Sequence, residues 1–292
     1  MRTLGPAAGI LALQLVAFPM PIGMAFSGFI LGMLGALAAV GLALVWRSNR
    51  VVNFAHGDLG ALPATLTVLL VTLGGLPWLA GLGIGLAAAL AVGLLANVLV
   101  VRRFHRAPRL QLTVATLGLS QILAFGALLL PRAWGAGPAI RKMPVPFEVS
   151  FTVGEVRFDG SDLVALVVAP LLIAAVAVLL RFTDTGTAVR AAADRGERAA
   201  TLGIPVRRLD AQIWVIAAVL SFVSVVLTAG VAALPFGLGV GLAVVLRALA
   251  ALVLGRMTDL VSITATAIAV GVLESGIRWN TGDVQLASPI LA

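Results

Sequence analysis

The sequence predicts an all-α integral membrane protein, a polytopic helix bundle of about eight to nine transmembrane helices in one domain over residues 1–292. Three observations predict this class. Hydrophobic residues make up 61% of the chain and charged residues only 11%, too few to cover a soluble domain, in which about 25% charged residues is typical. Long apolar runs recur along the chain, and the basic residues between them are unevenly distributed.

The apolar runs define the candidate spans, since a helix needs about 20 mostly apolar residues to cross roughly 30 Å of hydrocarbon. The first run is short and ends at Pro19 and Pro21, and the eighth is also short, which favours a broken or steeply packed helix. The nine runs are 4–20, 22–46, 55–73, 77–101, 110–130, 162–181, 210–231, 242–255 and 260–277.

The distribution of Lys and Arg predicts the orientation in the membrane. When the nine runs alternate in direction, fourteen of the 20 basic residues fall on one side and five on the other. By the positive-inside rule, the side with more basic residues is cytoplasmic. This places the N-terminus on the cytoplasmic side of a plasma (inner) membrane. The net charge of +8 therefore indicates orientation in lipid, and we expect no nucleic-acid partner.

The composition also argues against an enzyme. The chain has no Cys, no Tyr and only two His, so it offers little material for catalysis, no thiol chemistry and no cysteine-ligated metal. No Gly-Lys-Ser/Thr phosphate-binding loop occurs in the sequence. We therefore expect no catalytic residue, no cofactor and no metal site.

Two loops are long enough to carry function. The outer loop, 131–161, contains FEVSFTVGEVRF (147–158), whose partial alternation around Gly154 predicts a small extracytoplasmic β-hairpin or flap. The inner loop, 182–209, begins with an Ala-rich stretch that predicts a short amphiphilic helix on the cytoplasmic surface. Gly203 and Pro205 would end that helix.

Polar residues crowd the start of the third run, at Asn53, His56 and Asp58. One interpretation is a helix start, in which Asn53 caps free amides, Asp58 lies at the positive end of the helix dipole and His56 is interfacial. The other is a polar pathway, because these side chains would be costly against lipid. The residues alone do not separate the two interpretations, and they do not complete a metal ligand set.

The segment RVVNFAHGDLGA resembles the signature of the branched-chain amino-acid ABC transporter permeases, specifically their H-type inner-membrane subunit. Two further stretches are similar to that family: VRAAADRGERAATLGIPVRRL (189–209) and LRALAALVLGRMTDLVSITATAIAVGVLES (246–275). The resemblance extends from about residue 22 to 278. The contiguous signature match comprises Asn53, Phe54, Ala55, His56, Gly57 and Asp58.

The resemblance implies a non-catalytic subunit of an ATP-driven importer. Its expected partners are a second related permease, two cytoplasmic ATPase subunits, an extracytoplasmic solute-binding protein and membrane lipid. The expected cargo is Leu, Ile or Val, with urea, short amides or other amino acids as alternatives and an ion-coupled secondary carrier as the competing class. The resemblance assigns ATPase coupling to segment 182–209, with Arg190, Ala192, Ala193, Gly203 and Ile204 as the coupling residues.

The chain departs from the family pattern in three places. Arg256 stands where the family usually has Gly, and Ser262 and Ile263 stand where it often has Pro-Gly. The sequence ends at VQLASPILA, without the further apolar span and basic tail of most members, so a C-terminally truncated chain and a divergent member both remain as interpretations.

Arg247 and Glu274 are the charges within the last two predicted spans. Adjacent antiparallel helices would bring them to similar depth, and a charge in hydrocarbon costs roughly 2.5–3.5 kcal/mol at a helix centre. We expect the two side chains to form a pair or share a polar cavity near the outer mouth. The alternative is that Arg247 extends to the interface and Glu274 caps a loop, each alone.

Overall fold

A computed structural model describes residues 4–104, 107–137, 139–191, 205–235, 239–257 and 259–282, and these are mainly helical. A π-helical turn, Asn97–Val101, extends α4, and a 3₁₀ turn, Leu130–Trp134, extends α5. The helices are α1 (Gly5–Ala17), α2 (Ile22–Asn49), α3 (His56–Thr72), α4 (Trp78–Ala96), α5 (Arg109–Leu129), α6 (Gly160–Phe182), α7 (184–191), α8 (Val206–Ala232), α9 (Val240–Leu254) and α10 (Leu260–Thr281).

Six helices in the described part of the chain are long and apolar enough to cross a membrane. Each of the nine predicted runs contains a helix, but the expected count of eight to nine spans is not confirmed. Helices α1, α3 and α9 have only 13, 17 and 15 residues, about 20–25 Å at 1.5 Å per residue. The six spans are Ile22–Asn49, Trp78–Val101, Leu110–Trp134, Gly160–Phe182, Arg207–Ala232 and Leu260–Thr281.

Helix α2 lies at the centre of the bundle and is mostly buried. It packs antiparallel to α10, where glycines let the two backbones touch. A Cβ on Gly28 would lie 2.8 Å from Val272 Cα, and a Cβ on Gly32 would lie 2.7 Å from Ile268 Cα. Small residues of this kind allow close helix packing where lipid supplies no hydrophobic driving force.

One end of the bundle carries a hairpin, and we call it the hairpin end. Strands β2 (Ser150–Val153) and β3 (Val156–Asp159) pair antiparallel within the loop for which the sequence predicts a hairpin. Gly154 forms the turn with a φ of 61°, a conformation that glycine adopts without strain. The hairpin packs on the start of α2, where the rings of Phe26 and Phe158 meet edge to face with centroids 5.1 Å apart.

Two further contacts tie the long loop to the helices. Strand β1 (Ile140–Arg141) pairs antiparallel with β4 (Leu234–Pro235), which lies between α8 and α9. Asp159 caps α6, since its carboxylate accepts a hydrogen bond from the Ser161 amide at 2.8 Å. Burial raises the pKa of Asp159, but Lys142, 2.5 Å away, and the Ser161 amide lower it more, so the pKa lies below its usual range.

The opposite end of the bundle gathers the end of α2 and the starts of α8 and α10. Ser48 donates a hydrogen bond to the Asp210 carboxylate at 2.6 Å and so joins α2 to α8 there. We call this the arginine-rich end, because the chain places Arg47, Arg50, Arg102, Arg103, Arg181, Arg207 and Arg208 near it.

Arg256, the departure from the family's glycine, has a φ of 65° just after α9. A left-handed backbone conformation costs a non-glycine residue roughly 1–2 kcal/mol. Glycine avoids this strain, but it makes the unfolded chain more flexible, which lowers the free energy of unfolding by about 0.4–1 kcal/mol. We therefore expect the Arg256→Gly variant to be more stable than the Arg256→Ala variant, with a free energy of unfolding higher by about 0.5–1 kcal/mol. Thermal unfolding of both variants in detergent measures the difference, and the alanine variant controls for loss of the side chain. An alanine variant at least as stable would contradict the backbone argument.

Candidate functional site

The chain re-enters the bundle between α2 and α3. Helix α2 ends at Asn49, and the next residue, Arg50, has a φ of 53°, which reverses the chain direction. The following residues run back along α2, and the His56 ring reaches the Ala38 carbonyl, about 16 Å before the end of α2 along its axis. Helix α3 therefore begins deep within the bundle.

This placement corrects one interpretation of the signature residues. The His56 side chain is fully buried and Asp58 is 3% exposed, so the interfacial position considered for His56 is wrong. Hydropathy locates the start of the apolar run but carries no information about its depth. The residues between Arg50 and His56 carry the start of α3 from the expected membrane boundary into the bundle interior.

The start of α3 is fixed by local and tertiary hydrogen bonds. Asn53 is buried, and its side-chain oxygen accepts a hydrogen bond from the Ala55 amide at 3.0 Å, an Asx-type turn rather than a helix N-cap. The Phe54 amide donates to the Thr116 hydroxyl of α5 at 3.2 Å. The Asn53 side chain and the Phe54 amide thus hold this segment in place through a local turn and a hydrogen bond to α5.

The His56 ring has one assigned partner. Its Nε2 lies 2.8 Å from the Ala38 carbonyl oxygen, which can only accept, so Nε2 carries the hydrogen. Nδ1 has no hydrogen-bond partner among the described residues. Gly41 makes room for the ring, since a Cβ there would lie 2.7 Å from His56 Cε1. The histidine therefore locks α3 against the middle of α2.

Asp58 joins three helices. Its Oδ2 accepts a hydrogen bond from the Ser120 hydroxyl of α5 at 2.5 Å. Its Oδ1 lies against the first turn of α9, because a Cβ built on Gly241 would be only 2.0 Å from that oxygen. The first amides of a helix lack intrahelical partners and carry partial positive charge, so a carboxylate is stabilised there.

Backbone contacts complete this junction. A Cβ on Gly57 would lie 1.9 Å from the Gly241 carbonyl oxygen, and one on Gly60 would lie 2.3 Å from the Ser221 carbonyl carbon. The Ser221 hydroxyl of α8 donates to the His56 carbonyl at 2.7 Å. We call this buried constellation the α3–α9 junction; it comprises His56, Gly57, Asp58, Ser120, Ser221 and Gly241.

The junction is separate from a cavity of about 200 Å³ near the hairpin end. That cavity lies between α4, α6 and α8 and is lined by apolar side chains such as Trp78, Met143 and Phe222. None of the signature residues lines it. The contacts of the junction hold α3, α5, α8 and α9 together.

The sequence matches the family model for the permease component of branched-chain amino acid transport systems over residues 24–286. The chain belongs to this family. The match includes the α3–α9 junction and the last two helices. No curated protein matches the chain significantly.

Membership makes the protein a transport component with several membrane-crossing helices. Among the family's expected coupling residues, the structure describes Arg190 on α7. Its guanidinium donates to the Leu180 carbonyl and to the Thr187 hydroxyl, which folds α7 back onto the end of α6. The remaining coupling residues, Ala192, Ala193, Gly203 and Ile204, lie outside the described residues.

The expected contact between Arg247 and Glu274 is present. Arg247 Nε on α9 lies 3.1 Å from Glu274 Oε1 on α10. Arg278 Nη2 lies 3.9 Å from the other Glu274 oxygen, although the last predicted run ends at residue 277, just before Arg278. The i, i+4 spacing of Glu274 and Arg278 on one helix was the signal that would have added Arg278 to the pair.

Ser120, Ser221 and Gly241 are junction residues that sequence reasoning missed. Each is a small residue within an apolar helix, far in sequence from Asp58. No periodicity or spacing distinguishes them from the many other small residues of the chain. Only tertiary packing identifies them.

Proposed function

We propose that the protein is the membrane-spanning permease subunit of an ATP-binding cassette importer for Leu, Ile and Val. The family match over residues 24–286 carries this proposal. The six long apolar helices support a subunit that forms a path through the plasma (inner) membrane. In this proposal the subunit catalyses no reaction, and separate ATPase subunits supply the energy.

The two ends of the bundle would meet different partners. The arginine-rich end faces the cytoplasm by the positive-inside rule, together with the N-terminus and the coupling segment 182–209. Two ATPase subunits would contact that segment. A solute-binding protein would dock at the hairpin end, over the loop 131–161. A second related permease would pair with this subunit to form the transmembrane pathway.

Reconstitution of the complete transporter tests the proposal. The permease is purified with its ATPase subunits, placed in liposomes with the solute-binding protein outside, and assayed for uptake of radiolabelled L-leucine and urea. We expect leucine uptake that requires ATP and persists with a proton ionophore. Uptake of urea but not of leucine would show that the cargo is not an amino acid. Leucine uptake driven by a proton gradient without ATP would overturn the assignment to ATP-driven importers.

The coupling role of Gly203 gives a second test. A small residue there would allow the ATPase surface to approach, so we expect Gly203→Phe to reduce ATP-driven uptake at least about tenfold while ATP hydrolysis continues. The matched control is Gly118→Phe on α5, where an added Cβ would meet no atom within 4 Å. The ratio of solute imported to ATP hydrolysed is the measurement. An unchanged ratio in Gly203→Phe would count against coupling through this residue.

A further inference from the structure

Three charged side chains form a cluster on the surface of α9 and α10, and we call it the α9–α10 charge cluster. Arg247 and Arg278 flank Glu274 at 3.1 and 3.9 Å. The side chains of Arg247, Glu274 and Arg278 are 45%, 33% and 22% exposed. Glu274 lies about 10 Å inside the end of α10, a helix long enough to span the membrane.

Lipid is a poor neighbour for this cluster. Half-exposed charges at membrane depth are costly in hydrocarbon and usually face a water-filled cavity or protein. The surrounding exposed side chains are apolar, including Leu246 at 52% and Ile277 at 37%. Helix α9 has 15 residues, too few to cross the bilayer alone.

The cluster has spare positive charge and spare donors. Two arginines and one glutamate give a net charge of +1. A guanidinium carries five N–H donors, and a single carboxylate engages at most two of them in a bidentate pair. Arg247 has no ion pair or hydrogen bond in the described structure other than its contact with Glu274. Its remaining donors are therefore open to an anion or to water.

We infer that the α9–α10 charge cluster binds the carboxylate of a zwitterionic amino acid on an aqueous path along this surface. The inference rests on the proposed function, which supplies the amino acid as the solute. The free edge of Arg247 matches the bidentate geometry of a carboxylate. Glu274 faces the ammonium group, and Leu246 and Ile277 contact an apolar side chain.

Single-cysteine labelling tests access to this surface, because the chain has no native Cys. In the complete transporter, Leu246→Cys is treated with an anionic and a cationic methanethiosulfonate of similar size. We expect the anionic reagent to react about tenfold faster, since the net positive charge attracts it, and Arg247→Gln to remove that preference. The control is Leu171→Cys on α6, 63% exposed, which we expect to face lipid and to stay unlabelled. Equal rates for the two reagents, or no labelling of Leu246→Cys, would overturn the inference.

Protection from labelling identifies the anion. We expect L-leucine to slow labelling of Leu246→Cys at least about fivefold, and L-leucinamide, which lacks the carboxylate, to have no effect. Arg247→Gln should abolish protection, and Arg132→Gln, an exposed arginine after α5, should retain it. Protection by phosphatidylglycerol in nanodiscs, with none by leucine, would assign the site to a lipid phosphate and overturn the solute assignment.

The two proposals fail separately. Leucine uptake by the wild-type transporter without protection of Leu246→Cys would reject the cluster and leave the proposed function intact. Protection by leucine without ATP-driven uptake would reject the importer and leave the carboxylate site. If Arg247→Gln does not fold, the reagent preference and the leucinamide comparison in the otherwise unchanged protein still decide the question.

Discussion

Gly57→Ala is expected to lower the free energy of unfolding by at least about 3 kcal/mol, the upper end of the usual cost of overpacking. The added Cβ would lie 1.9 Å from the Gly241 carbonyl oxygen and 2.6 Å from its carbonyl carbon. Both are backbone atoms, so no side chain can move away, and α3 and α9 must separate. We expect a fall of about 6 °C or more in the thermal midpoint measured by size-exclusion chromatography in detergent.

Gly118→Ala is the matched control for this prediction. Gly118 lies on α5, and an added Cβ there meets no atom within 4 Å. Alanine is the better helix former by about 1 kcal/mol, so this variant should equal or exceed the wild type in stability. A Gly57→Ala variant with an unchanged thermal midpoint would show that the α3–α9 junction is looser than the structure places it.

The sequence predicted the helices well because hydropathy is a local property. Each apolar run contains a helix, and charge scarcity within the runs singled out Arg247 and Glu274 as partners. The depth of α3 could not be predicted in this way. The re-entrant path from Arg50 to His56 depends on contacts with α2 and α5, and a run of apolar residues looks the same at the surface and in the bundle interior.

The signature residues were likewise predictable only in their local properties and not in their tertiary contacts. Polarity at Asn53, His56 and Asp58 marked them as unusual, but two interpretations fitted the sequence equally. Burial excludes the interfacial histidine, and the partners of Asp58 come from α5 and α9, more than 60 residues away. Gly57 had no assigned physical role until Gly241 appeared opposite it. Long-range backbone contact leaves no pattern in a single sequence.

The second large effect concerns the Asp58 carboxylate. Asp58→Ala removes the acceptor of the Ser120 hydroxyl and the negative charge at the first turn of α9. We expect a loss of about 3 kcal/mol, because a hydrogen bond to a charged group is worth about 1.5–3 kcal/mol and a buried charge at a helix N-terminus up to about 2 kcal/mol. Asp58→Asn keeps the shape but loses the charge, so it should lose less.

A double-mutant cycle separates the Ser120 hydrogen bond from the helix contribution. Ser120→Ala alone should cost about 1.5 kcal/mol. The double variant Asp58→Ala/Ser120→Ala should lose about 1–2 kcal/mol less than the sum of the two single losses. Ser224→Ala is the control: this serine is equally buried on α8, but its hydroxyl donates to the Leu34 carbonyl at 2.7 Å, away from Asp58. Its loss should add to that of Asp58→Ala. Additive losses for Asp58 and Ser120 would mean that the carboxylate acts mainly on α9, and an Asp58→Ala variant as stable as wild type would remove Asp58 from the junction altogether.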